Sequence, residues 1–129
     1  MHITLESDYA VRIVEYLAIS NKINGANVIS SNTGVPLRFA LKILRKLVSA
    51  DIVVSYKGAK GGYTLKLPPK DITLRAVIEA VEGPYVISRC LNNEYSCEHT
   101  HCKFHKVYDE ISKLVRDRLD EVTFDIVNK

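Results

Sequence analysis

The amino-acid sequence predicts a mainly α fold with a small β-hairpin and a long C-terminal helix. Apolar residues recur at three- and four-residue steps in separate segments, two short β-prone runs flank a glycine-rich turn, and a charged C-terminal stretch carries a narrow apolar seam.

The first helix is expected from Ser7, as its cap, through Ala10, Val11, Val14, Leu17 and Ala18, with Asn21 to Gly25 ending it. A short second helix is expected across Val28 to Thr33, followed by a turn at Gly34. Pro36 suits the first turn of a third helix running to about Ala50, with Leu37, Ala40, Ile43, Leu44 and Leu47 facing inward. Arg38, Lys42 and Arg45 then share its outer face, with Leu41 on the edge.

Ile52 to Tyr56 is β-branched and apolar, Lys57 to Gly62 is a turn, and Tyr63 to Leu67 alternates as a half-exposed strand. Pro68-Pro69 breaks the chain, Thr73 caps a fourth helix from Leu74 to about Glu82, and Gly83-Pro84 stops it. Residues 84–102 have no clear period and hold every cysteine, so they read as a loop. From about Lys103 a long helix carries Phe104, Tyr108, Ile111, Val115, Leu119 and Val122 in a seam suited to pairing with another helix. The expected organisation is a winged helix-turn-helix domain over 1–83, a cysteine loop over 84–102, and a dimerisation helix with tail over 103–129.

The composition, 47% hydrophobic and 26% charged over 129 residues, is that of a folded domain rather than a disordered chain. No run approaches the ~18 apolar residues of a membrane span. The N-terminal residues also lack the basic-then-apolar order of a signal peptide, so a cytoplasmic location without membrane association is expected. The net charge is only +3, but its distribution is uneven. Between Pro36 and Lys70 stand Arg38, Lys42, Arg45, Lys46, Lys57, Lys60, Lys66 and Lys70 against Asp51 alone. Such a local excess is the footprint of a phosphate-binding face.

Three helices followed by a basic hairpin is the order of a winged helix-turn-helix. A helix fills the major groove, where base edges are distinguishable, while a thin hairpin lies along or enters the minor groove. Arg38, Leu41, Lys42 and Arg45 on the third helix, with Lys57 and Lys60 at the hairpin tip, are the candidate DNA contacts.

The cysteines follow the pattern Cys90-x6-Cys97-x4-Cys102-x2-His105. Clustered thiols in a reducing compartment suit a metal better than disulfides. Three thiolates with an imidazole match either tetrahedral zinc or an iron-sulfur cluster, and nothing marks a catalytic thiol, so an enzyme is not expected.

Several segments carry a family resemblance: Asp8-Tyr9-Ala10-Val11-Arg12, Leu41 to Leu47, Gly58-Ala59-Lys60-Gly61-Gly62-Tyr63, Ile72-Thr73-Leu74, and Val77 through Gly83. With the three cysteines that follow, the chain resembles the IscR/NsrR-type family of winged-helix transcription regulators over almost its whole length. The resemblance implies a homodimer joined through the C-terminal helix, a palindromic double-stranded DNA site, and an iron-sulfur cluster that controls DNA affinity. It places Arg38, Leu41 and Lys42 where members read bases and Lys57 where a wing residue enters the minor groove. Leu41 replaces a polar residue of IscR, so that protein's operator preference does not carry over. The cysteine gaps of six and four replace five and five, with the outer span kept.

For the fourth ligand, His105 matches the histidine of a 2Fe-2S site and Asp8 matches a carboxylate supplied across the dimer to a 4Fe-4S site. His105 and the 2Fe-2S form are favoured, and such a cluster is readily lost in air. The competing readings are a zinc-bound or thiol-switch regulator of the same fold, and a small electron-transfer protein docking an acidic partner through its basic face.

Overall fold

A computed structural model of the protein describes residues 3–87 and 103–125. The elements run α1 (Leu5–Ser20), α2 (Ala26–Thr33), α3 (Leu37–Ser49), β1 (Val53–Tyr56), β2 (Gly62–Leu65), a 3-10 turn (Pro69–Asp71), α4 (Leu74–Glu82) and α5 (Lys103–Glu121). The mainly helical winged fold expected from the sequence is therefore present. No helix among the described residues is long and apolar enough to cross a membrane.

Helix α1 starts earlier than Ser7, because Thr4 is the residue that caps it: its hydroxyl accepts from the Ser7 amide at 3.1 Å. Ser7 is instead fully buried, and its hydroxyl donates to Glu82 Oε1 at 2.9 Å. Thr4 bonds the same carboxylate, so one acid at the end of α4 ties down the start of α1. Helix α2 begins at Ala26, two residues before the expected Val28, and Gly34 closes it in the left-handed region at φ 76°. At α4 the sequence signals hold: Thr73 Oγ1 accepts from the Ala76 amide at 3.0 Å, and Gly83 ends the helix at φ 82°.

The core lies between α1, α3 and α4. Ala10, Ile13, Val14 and Leu17 meet Ala40, Ile43, Leu44 and Leu47 of α3 and Val77 and Val81 of α4, with Ile29, Val35, Ile52, Val53 and Ile72 closing the ends. Each large side chain buried here stabilises the fold by about 1.5–3 kcal/mol. Leu37 is an exception to the expected inward face. It is 40% exposed, because the chain leaves the core at Pro36 and the first turn of α3 projects beyond it.

Strands β1 and β2 pair antiparallel from Val53 with Leu65 to Tyr56 with Gly62. A third segment joins them: Asn24, before α2, exchanges both backbone bonds with Tyr63, at 3.0 and 2.8 Å. Gly62 sits at φ 150°, and a Cβ there would collide with the Asn24 backbone, so this junction needs glycine. The Asn24 side chain is itself anchored by Ser20 Oγ at 2.6 Å and the Lys22 carbonyl at 3.0 Å. Tyr63 is half-buried and packs against the core at the base of the wing.

Helix α5 ends at Glu121, before the Val122 that the apolar seam included. The chain then returns to α4: the Leu74 amide, otherwise an orphan at the helix start, donates to the Val122 carbonyl at 2.8 Å, and Phe124 is inserted into the core. Arg75 of α4 bonds Asp120 at 2.8 Å and Glu79 at 3.2 Å. The hydrogen bond Arg75 donates to Asp120, opposed by some desolvation and helped by Glu79, raises the arginine pKa above its ordinary value.

Candidate nucleic-acid interface

Helix α3 has two faces with different work. Its buried stripe of Ala40, Ile43, Leu44 and Leu47 locks it into the core, and Arg38, Leu41, Lys42 and Arg45 are left on the solvent side. Exposed Lys57 and Lys60 sit in the turn joining β1 and β2, where Gly58 at φ 99° and the Gly61 amide bonding the Gly58 carbonyl at 3.0 Å shape a tight tip. A Cβ on Gly61 would meet the backbone carbonyl of Tyr56. The glycines are thus needed for the turn itself.

The basic excess between residues 36 and 70 divides by use. Lys46 is held by Glu6 of α1 at 2.8 Å and by the Val81 carbonyl at 3.3 Å, and Lys66 pairs with Asp51 at 2.9 Å. These two serve the fold. Lys42 lies 3.8 Å from Glu6 and keeps most of its ammonium in solvent, a contact worth at most about 1 kcal/mol. Arg38, Arg45, Lys57 and Lys60 have no ion pair among the described residues. The Arg38 guanidinium lies 4.9 Å from the Phe39 ring, which in turn packs 6.1 Å from Tyr9 of α1. Exposed cations on a core-anchored helix and a glycine-shaped turn are what release counterions from a phosphate backbone.

Cys90, Cys97 and Cys102 lie outside the described residues. His105 is exposed in the first turn of α5. Asp8 is half-exposed in the first turn of α1 and paired with Arg12 at 2.9 Å, the setting of a helix-start acid. Among the described residues no three metal-ligating side chains converge. Ahead of the cysteines in the chain, the Ile87 amide donates to buried Ser112 Oγ at 2.9 Å and Arg116 donates to the Tyr85 carbonyl at 2.9 Å, which fastens residues 85–87 to the middle of α5.

Two contributors were not singled out from the sequence. Asn24 braces the wing and Glu6 braces α3, and each acts on a residue far along the chain, with no local pattern to mark it.

The sequence matches, over residues 3–129, the family Rrf2, described as an iron-dependent transcriptional regulator. An HTH-type transcriptional regulator of Haemophilus influenzae is 30% identical to it over 100% of this chain and 88% of its own length. The HTH-type transcriptional regulator IscR of Vibrio cholerae is 29% identical over 95% of this chain and 72% of its own. Among solved structures, the global cysteine regulator CymR of B. subtilis superposes with a TM-score of 0.79 at 23% identity, covering 97% of this chain and 94% of that one. The likeness to CymR is one of fold. With a family match over nearly its whole length, a winged helix and an exposed basic face, this chain belongs to the Rrf2 family of DNA-binding transcription regulators and is not an enzyme.

Proposed function

We propose that the chain works in the cytoplasm as a homodimer joined through α5 and grips a palindromic double-stranded DNA operator. Arg38, Leu41, Lys42 and Arg45 enter the major groove, while Lys57 and Lys60 meet phosphates or the adjacent minor groove. An iron-sulfur cluster on Cys90, Cys97 and Cys102, with His105 as fourth ligand, controls the affinity. The observation that carries the DNA contacts is the exposed cationic face of α3 and the wing tip, where Arg38, Arg45, Lys57 and Lys60 have no ion pair among the described residues.

Support for the homodimer comes from α5, whose Phe104, Val107, Ile111 and Leu114 are all exposed in the single chain. Support for the cluster comes from the donor set, three thiols and an exposed imidazole, and from the iron dependence in the family's description. When bound, a cluster supplies a centre that oxidation, nitrosylation or iron loss alters. The residues of this chain transmit such a change: Ser112 and Arg116 hold the outgoing segment, and His105 rides on the helix that sets the angle between two DNA-binding halves.

Anaerobic purification with visible absorbance and iron and sulfide analysis tests the cofactor. Iron and sulfide in equal amounts, with colour lost on exposure to air, is the expected result. A colourless protein with stoichiometric zinc overturns the cluster in favour of a zinc-bound regulator. Binding to genomic fragments across a salt series tests the rest, since an electron carrier has no sequence preference at any salt.

A further inference from the structure

Leu37 and Leu41 stand one helical turn apart at the start of α3, 40% and 38% exposed, outside the filled stripe of Ala40, Ile43, Leu44 and Leu47. We infer that these two leucines form an apolar ridge that reads thymine C5-methyl groups in the major groove, so that they select the operator by shape and hydrophobicity where the neighbouring cations select by charge. The inference rests on α3 being the element that enters the groove.

Exposed leucines are ordinary on protein surfaces, so position carries the argument. At about 100° per residue, Arg38, Arg45 and Lys42 occupy the centre of the outer face, with Lys46 on one edge and Leu37 and Leu41 on the other. The Lys46 edge is closed by Glu6 of α1. The leucine edge is open, and it belongs to the N-terminal part of the recognition helix, the part that reaches base edges in helix-turn-helix proteins.

The cations beside it leave one occupant of matching chemistry, a polyanion held against the same face. The apolar feature that a B-DNA major groove offers at its base edges is the thymine methyl; guanine, cytosine and adenine present donors and acceptors. A leucine pressed on those groups strips their water and returns no hydrogen bond, which disfavours every pair but one with a methyl beneath it. The side chains are about 5–6 Å apart at their Cβ atoms, against a rise of about 3.4 Å per base pair, so the methyls they touch lie on adjacent or next-but-one pairs.

The test changes the DNA first and the protein second. After an operator is selected from random duplex DNA at fixed salt, each thymine of one half-site is replaced in turn by uracil, which removes the methyl and keeps the pairing. Replacement at a read position should weaken binding about fourfold, the size expected for one buried methyl-sized group. That loss should shrink to within about 1.5-fold in Leu41→Ala or Leu37→Ala, with the helix content of each variant checked by circular dichroism. If binding is sequence-specific but no uracil changes it, or if the uracil penalty persists in both alanine variants, the leucine ridge is overturned while the DNA-binding reading stands. If no sequence is selected at any salt, both fall together.

Discussion

Helices α3 and α5 are both amphipathic, yet they are built for opposite fates. Helix α3 buries Ala40, Ile43, Leu44 and Leu47 within its own chain and turns its cations outward. Helix α5 buries only Ser112, and its Phe104 and Leu114 are 54% and 69% exposed. The first is anchored by its own core stripe, which suits base readout, where small displacements forfeit hydrogen bonds. The second half-buries Val115 and Leu119 within its own chain but leaves Phe104, Val107, Ile111 and Leu114 exposed, and a second copy is the proposed partner for that face. The bonds α5 does make to its own chain, through Ser112, Arg116 and Asp120, are polar and directional. They set its position without covering Phe104, Val107, Ile111 and Leu114.

That contrast can be broken from either side. Leu44→Ala should lower folding stability by about 2–5 kcal/mol, read by urea denaturation, with the loss nearly independent of protein concentration. Leu114→Glu should leave the fold of residues 3–87 intact but weaken self-association by about 30-fold or more, read by sedimentation equilibrium. A concentration-independent loss like that of Leu44→Ala would show that α5 is part of the monomer core instead.

Arg38→Ala should then cost about 1–3 kcal/mol on a selected operator and much less on random DNA, whereas Lys57→Ala should weaken both alike and reduce the salt slope by about 1. Equal losses for Arg38→Ala on both DNAs would remove it from base readout. The smallest effect is expected from Glu6→Gln. Releasing Lys42 and loosening Lys46 should change stability by under about 1 kcal/mol and raise non-specific DNA affinity slightly, measured by fluorescence anisotropy at low salt.

The candidate DNA contacts were legible because a basic residue on the outer face of an amphipathic helix, or at a glycine-rich tip, is defined by its near neighbours alone. Leu37 shows the limit of that reasoning. Its spacing from Ala40 and Leu44 is that of a core residue, but whether a first-turn position is covered depends on what the rest of the chain brings over it. The three cysteines and His105 were legible as a donor set by identity and spacing, a matter of covalent order and not of packing.

By itself the sequence determined the local devices: the periodicity of α3, the Thr73 cap and Gly83 stop of α4, and the glycines of the wing tip. These depend on interactions within a few residues. Tertiary structure alone decided that Glu6 reaches Lys46 across 40 positions, that Ser7 reaches Glu82 across 75, that Asn24 braces Tyr63, and that Phe124 returns to fill the core beside Ile72. The reason is physical. Closing a loop of that length costs entropy that no single such contact repays, so these contacts form only once the shared core has already brought their partners together.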